Sequence, residues 1–196
     1  MHINSHFAVG VIIASYLNFF LPFNIFEFLI IILFSFICDF DVLFSKFAID
    51  NNHRMLITHS IIPSLIIIVL GLLINWVVLI ISGFVYLIHI IIDSFDWGTN
   101  FFYFQKRQVG FKFLISKEEF ENISDYLSKY KNPASFFDNK YYSNKISLIT
   151  EVILFILMWF FILIFAIQFI LITLIYFLGL YFHLARHFHL KKLEAE

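Results

Sequence analysis

Long apolar runs alternate with short polar breaks along most of the chain. The apolar runs cover residues 7–21, 25–38, 61–74, 77–95 and 147–185. A helix that crosses a bilayer needs about 20 apolar residues, with a lower limit near 17. The first two runs are short, and Pro22, Phe23 and Asn24 separate them, which predicts a tight turn within a helical hairpin. The alternative is one interrupted hydrophobic segment.

The two longest apolar stretches exceed one membrane crossing. Residues 61–95 as one helix would extend about 52 Å, whereas the apolar core of a bilayer is about 30 Å thick. Asn75 and Trp76 form a natural break there, and Gln168 interrupts 147–185. One long helix that projects from the membrane is an alternative for 147–185, but two helices are predicted, at 147–166 and 169–185.

The complete pattern predicts an all-α, polytopic membrane bundle of about six helices that forms a single domain over residues 1–196. One polar segment, 97–146, separates the fourth and fifth helices. Within it, Ser116 and Glu119 have the spacing of a capping box. The stretch 117–130 predicts one short amphipathic helix, because apolar side chains recur there at helical spacing. These side chains are Phe120, Ile123, Tyr126 and Leu127.

Charge placement predicts the orientation. The chain has 13 Lys and Arg residues, and the six-helix pattern puts all of them, including Lys106, on one side of the membrane. The turns at 22–24, 75–76 and 167–168 contain none. The positive-inside rule therefore predicts a multi-pass protein of the inner (cytoplasmic) membrane, with the polar segment in the cytoplasm. Residues 7–21 lack the basic n-region and cleavage site of a removable signal peptide.

Composition supports a membrane protein and excludes other classes. Hydrophobic residues make up 61% of the chain and charged residues 14%, with a mean hydropathy of +0.90, whereas soluble domains contain about 25% charged residues. The expected partner is therefore membrane lipid. The chain has 13 basic and 14 acidic residues, so there is no excess of positive charge to bind phosphate groups, and nucleic-acid binding is not expected. Cys38 is the single cysteine, so it forms no intramolecular disulfide and is expected to be a small packing residue.

Ionisable side chains cluster where the predicted helices begin or end. Burial of such groups in a membrane costs free energy, so their presence there usually indicates a functional site. Odd-numbered helices enter the membrane and even-numbered ones return, so these positions should meet at one membrane face, as a metal site requires. They are His6, Asp39, Asp41, His53, Arg54, His59, His89 and Asp93.

This cluster predicts a divalent metal site. His89 and Asp93 are four residues apart on one helix, so both point the same way. Imidazole with carboxylate suits zinc, and also manganese or iron. The alternative for Asp39 and Asp41 is a structural ion pair with Arg54. The predicted metal ligands are His6, Asp39, Asp41, His59, His89 and Asp93.

Four other ionisable side chains are not among the predicted metal ligands. Glu151 lies one turn inside the fifth helix and is a candidate for an extra ligand or base. His183, His187 and His189 follow the last helix beside basic residues. We expect these three histidines to belong to a tail that faces solvent or lipid headgroups.

The order of these motifs resembles a known family. His6 with Gly10, Asp39-Phe40-Asp41, His53-Arg54 with Thr58-His59-Ser60, and His89 with Asp93 and then Gly98 follow one another over residues 1–100. This order is similar to that of the LexA-regulated, inner-membrane-associated, metal-dependent hydrolase family. The resemblance implies a multi-helix membrane protein with metal-dependent hydrolase activity.

The predicted reaction is hydrolysis of an ester or phosphoester, lipid-linked substrates included, at the cytoplasmic membrane face. A bound divalent ion can lower the pKa of water from about 15.7 to about 7. His53 is the predicted proton shuttle, because its ordinary pKa of about 6.5 suits transfer in both directions. Arg54 would hold an anionic phosphate or oxyanion. The alternatives are a membrane protein that binds or transports metal ions, and one in which zinc only ties the helices together.

Overall fold

The computed structural model describes residues 2–104 and 108–196. Lys106, one of the residues that predict the orientation, lies outside the described residues. Within those ranges the chain is helical and forms no strand, apart from one isolated antiparallel bridge between Thr99 and Val109. The all-α prediction is therefore confirmed for the described part of the chain.

Each of the predicted apolar segments contains an α-helix, and three more α-helices lie in the polar segment. In chain order the α-helices are α1 (Ile3–Asn18), α2 (Ile25–Phe34), α3 (Ile61–Leu73), α4 (Val77–Asp96), α5 (Lys117–Glu121), α6 (Ile123–Leu127), α7 (Pro133–Ser143), α8 (Lys145–Phe165) and α9 (Leu174–Ala195). Four 3₁₀ helices fill much of the connection between α2 and α3, at Ile37–Phe47, Ile49–Asn51, His53–Met55 and Ile57–His59.

Three helical segments within the described residues are long and apolar enough to cross a membrane, which is compatible with a membrane protein. They are Val77–Asp96, Lys145–Phe165 and Ile167–Ala195. The helices Ile25–Phe34 and Ile37–Phe47 supply a fourth span if the pair, which is bent by 42°, counts as one crossing.

The apolar stretch near the C-terminus is broken, as the two-helix interpretation expects. At Ala166 the backbone leaves the helical region, with φ −153° and ψ 41°. A 3₁₀ helix, Ile167–Thr173, then leads into α9. The alternative of one long helix over 147–185 is wrong, because the helix breaks at Ala166, two residues before Gln168.

The core forms around α1, which packs against α2, α4, α8 and α9. Small side chains on α1 allow this close approach, and Ala8, Val11 and Ala14 are completely buried. Phe28 of α2 and Ile162 of α8 are also completely buried and belong to the same cluster. Because α1 is central, its first turn lies within reach of both the α2–α4 side and the α8–α9 side of the bundle.

A tight turn pairs α3 with α4. Asn75 adopts a left-handed conformation with φ 53°, and the N–H of Trp76 donates to the carbonyl of Gly71 at 2.8 Å. Gly71 has no room for a side chain, since a Cβ there would lie 2.7 Å from the backbone nitrogen of Ile80. The resulting hairpin brings the C-terminal end of α4 beside the segment that precedes α3.

The polar segment differs from its prediction in two respects. The Ser116–Glu119 capping box is present, with hydrogen bonds of 3.0 and 3.2 Å. The predicted amphipathic helix over 117–130, however, is two short helices, because the backbone of Asn122 leaves the helical region with φ −114° and ψ 35°. Helix α7, which the sequence did not predict, begins with Pro133 after Asn132, whose side chain accepts from Ala134 N–H.

Candidate metal centre

The predicted ligands come together from separate parts of the chain. His6 lies on α1, Asp39 follows α2, and His89 and Asp93 lie on α4. One ligand atom from each of these four side chains lies within 4.8 Å of one from every other. His6, His89 and Asp93 are almost fully buried, whereas the Asp39 side chain is 17% exposed. His59 joins them from the 3₁₀ helix just before α3.

His89 is held in a fixed orientation. Its Nδ1 lies 2.7 Å from the backbone carbonyl oxygen of Ser35, which only an N–H can satisfy. The proton is therefore assigned to Nδ1, and Nε2 retains its lone pair. That buried Nε2 has no hydrogen-bond partner among the described residues. It faces carboxylate oxygens of Asp39 at 3.6 Å and Asp93 at 3.9 Å.

His59 is also oriented by a hydrogen bond at Nδ1, with a carboxylate as the acceptor. Its Nδ1 donates to Oδ2 of Asp41 at 2.7 Å. Its Nε2, on the opposite side of the ring, lies 3.9 Å from Oδ1 of Asp39 and 3.6 Å from Oδ2 of Asp93. Burial lowers the pKa of His59, but the hydrogen bond to Asp41 and the nearby negative charge of Asp93 outweigh it and raise the pKa to about 9. A cation that binds at Nε2 therefore displaces a proton.

Asp41 contacts Nδ1 of His59, whereas Asp39 and Asp93 face Nε2 of the same ring. Oδ2 of Asp41 also accepts a hydrogen bond from the hydroxyl group of Thr58, so this oxygen is directed toward the segment before α3. Metal-ligating histidines commonly donate their second N–H to such a carboxylate, which fixes the ring and raises its basicity. The sequence predicted both Asp39 and Asp41 as metal ligands, with side chains that diverge on a regular helix and reach inward, to one ion or to different ions, at a frayed helix end.

The geometry fits a divalent cation. Zinc ligands lie about 2.0–2.1 Å from the ion, so two ligand atoms of a tetrahedral site are about 3.4 Å apart. The histidine-to-carboxylate distances from His59 and His89 are 3.6 to 3.9 Å, which is close to that spacing. His6 Nε2 lies 3.1 Å from Oδ1 of Asp93. These buried groups could hold a metal ion.

Arg54 is buried beside this cluster. Its Nη2 forms an ion pair with Oδ2 of Asp93 at 2.9 Å, so within the described residues it pairs with Asp93 rather than with Asp39 or Asp41, the partners that the sequence alternative proposed. Its Nη1 is also buried and has no hydrogen-bond partner in the described part of the chain. One edge of the guanidinium group is therefore free to bind an acceptor.

The ring of His53 contacts the ring of His59 edge to face, with centroids 5.1 Å apart. Ligand atoms of His53, His59 and Asp41 lie within 4.8 Å of one another. Burial, and then the neighbouring charge of Arg54, lower the pKa of His53 to about 4. The ring is thus neutral at pH 7, whereas the sequence argument assumed an ordinary pKa of about 6.5.

Cys38 is buried and packs with Tyr86 and Ile90, as expected of a small packing residue, and its sulfur also lies within 4.8 Å of ligand atoms of His59 and His89. Two other side chains differ from their expected surroundings. Glu151 binds Ser5 and Tyr141 instead of joining the group of His6, Asp39, His89 and Asp93. The solvated-tail expectation is wrong for His183, which is only 7% exposed; His189 is exposed as expected.

No family model matches this chain, and neither a curated protein nor a solved structure matches it. The family resemblance over residues 1–100 therefore stays a prediction that rests on the order and spacing of the motifs.

Proposed function

We propose that this chain is a membrane-bound, metal-dependent hydrolase that acts on an ester or phosphoester at the cytoplasmic face of the inner membrane. The observation that carries the proposal is a pair of buried imidazoles whose Nε2 atoms lack hydrogen-bond partners in the described part and face carboxylate oxygens. Leaving buried polar atoms unsatisfied costs about 1–3 kcal/mol each. A cation at this point would satisfy both nitrogens and neutralise the carboxylates.

In this proposal the ion is zinc, or manganese or iron, and its ligands come from His6, Asp39, His59, His89 and Asp93. Asp41 is a positioning residue that holds the His59 ring through Nδ1. When bound, a divalent ion lowers the pKa of a coordinated water from about 15.7 to about 7 and polarises the bond to be cleaved.

Two further side chains act on the substrate. His53 is the proposed proton carrier: its lowered pKa of about 4 makes the ring a weak base, which accepts a proton only transiently and returns it readily to the leaving group. Arg54 keeps Nη2 on Asp93 and offers Nη1 to an anionic oxygen of the substrate. A buried guanidinium donor of this kind favours a phosphoester over a neutral ester.

The surroundings favour a lipid-linked substrate. The 3₁₀ helix Ile37–Phe47 carries Asp39 and Asp41, and on its outer side several large apolar side chains are exposed. These are Phe40, Leu43, Phe44 and Phe47, whose exposures range from 49% to 73%. An apolar surface next to buried charged groups suits a site at the boundary between lipid tails and water.

The six-helix topology belongs to the same proposal. An even number of crossings between His6 and Asp93 brings the polar ends of α1 to α4 to one face, and the positive-inside rule assigns that face to the cytoplasm. The helices α1 and α3, with 16 and 13 residues, are shorter than the usual span. They would cross only in thinned bilayer or with flanking residues that extend to the interface.

The test is metal analysis and turnover with the detergent-purified chain. Wild-type protein should carry a divalent ion and cleave at least one member of a panel of phospholipids and simple phosphoesters. Asp39→Asn and His89→Gln should each remove about one ion per chain and lower turnover by at least 10²-fold, since the metal-assisted step is lost. His189→Gln, at an exposed position outside the cluster, is the matched control and should change neither.

Two outcomes would reject the proposal. Unchanged metal content in both variants would remove the metal site. Retained metal without turnover of any substrate would instead favour metal transport or a structural zinc site.

A further inference from the structure

A second group of imidazoles and a carboxylate lies on the other side of α1. It consists of His2, just before α1, Glu151 of α8 and His183 of α9. One ligand atom from each lies within 4.8 Å of the other two. The rings of His2 and His183 are in direct contact, with centroids 3.2 Å apart. The proposed hydrolase site uses none of these three residues.

Both imidazoles carry a buried nitrogen that no described residue satisfies. His183 is 7% exposed, and its Nε2 lies 3.0 Å from the hydroxyl oxygen of Tyr142. When Nε2–H donates to that oxygen, Nδ1 retains its lone pair, and Nδ1 is the atom without a partner. Nε2 of His2 is likewise buried without a hydrogen bond in the described residues.

Glu151 is held in place by two hydroxyl groups. Its Oε1 accepts from Tyr141 at 2.6 Å and from Ser5 at 3.1 Å. Hydrogen bonds to a carboxylate are the usual means by which a protein orients a metal ligand. Two nitrogen donors and one fixed carboxylate form the donor set of an open zinc site, which keeps a further position for water.

We propose that His2, Glu151 and His183 form a second divalent-cation site, of the zinc type, which joins the start of α1 to α8 and α9. The two sites are adjacent but use different side chains. Ser5 contacts Glu151 while its neighbour His6 contacts Asp93, and the N–H of His6 donates to the carbonyl of His2. An ion at the second site thus anchors the turn of α1 that carries His6.

The test counts bound Zn²⁺ or Co²⁺ per chain, on protein purified with a C-terminal tag that contains no histidine. Wild-type protein should bind two ions, and His183→Gln or His2→Gln one. Asp39→Asn with His89→Gln should also bind one, and the combination of both sets none. Glu151→Gln, whose amide oxygen can still accept from Tyr141 and Ser5, should weaken the second ion at least 10-fold with unchanged helix content by circular dichroism.

The variants separate this inference from the proposed function. A wild-type chain that binds one ion, lost in His183→Gln but kept in Asp39→Asn with His89→Gln, would support the second site and reject the first. Ion binding that is the same in wild type and His183→Gln would overturn the second site. Equal losses in His183→Gln and the exposed control His189→Gln would also overturn it, because binding would then be unspecific.

Discussion

Asp41 accepts a hydrogen bond from Nδ1 of His59 at 2.7 Å and so turns Nε2 of the same ring toward Asp39 and Asp93. The two aspartates that are two residues apart in sequence therefore lie on opposite sides of one imidazole. Asp41→Asn and Asp39→Asn should therefore have different effects on metal binding.

Asp41→Asn should weaken metal affinity about 10–100-fold, the usual effect of removing a partner behind a ligating histidine. The number of ions bound at saturation should stay the same, because the ligand atoms remain. Competition with a chelator of known affinity measures the change. Asp39→Asn is the contrast and should lower the number of ions bound. If Asp41→Asn lost an ion outright, Asp41 would be a direct ligand.

Arg54→Gln should raise KM for an anionic phosphoester at least 10-fold more than KM for a neutral ester, because the buried Nη1 donor is lost. It should also destabilise the chain by about 3–5 kcal/mol, since Asp93 loses a buried partner. Arg54→Lys retains the charge and should be less destabilising, although it cannot form the same paired hydrogen bonds. Parallel kinetics with both substrates and thermal unfolding in detergent provide the measurements. Equal KM changes for the two substrates would contradict a phosphate-binding role.

Gly10→Ala should destabilise the bundle by about 1–3 kcal/mol through overpacking. A Cβ at Gly10 would lie 2.3 Å from Oγ of Ser35 and 3.2 Å from Cα of Ile32. Because the carbonyl of Ser35 holds His89, displacement of this turn should also reduce metal affinity. Thermal unfolding and metal titration are the readouts.

Gly179→Ala is the matched control for Gly10→Ala. The nearest atom to a Cβ at Gly179 is 3.5 Å away, in Asn4, so ordinary contacts are possible. Since alanine is the better helix former by about 1 kcal/mol, this variant should unfold at the wild-type temperature or above. Similar losses for both variants would show that the crowding at Ser35 is not the cause.

Cysteine labelling should establish the orientation. In a Cys38→Ser background, a cysteine introduced at Ser128 in the polar segment should react only with reagents on the cytoplasmic side. One introduced at Phe20, in the turn before α2 and 59% exposed, should react only from the opposite side. Both positions reacting from the same side would contradict the odd number of crossings between them, namely α2, α3 and α4.

Local patterns were enough to predict the apolar helices of the bundle. Helical periodicity and apolar length identified the apolar helices, and the spacing of His89 and Asp93 placed both on one face of α4. The Ser116–Glu119 capping box could also be predicted, because each of these features depends on residues within one or two helical turns. The break within 117–130 could not be predicted, because Asn122 ends α5 although the helical spacing of apolar residues continues past it.

The roles of individual side chains depended on the packing of distant segments. Asp41 accepts from Nδ1 of His59 and so directs Nε2 of that ring toward the cluster. The backbone carbonyl of Ser35, in the turn after α2, orients the His89 ring in the same way. His183 is buried because α7 and the start of α1 pack beside it, contacts made by residues 41 and more positions away. Sequence alone determined a membrane-type helical chain with histidines and aspartates at helix ends. Tertiary structure decided which of them are neighbours, because those contacts join residues that no local pattern connects.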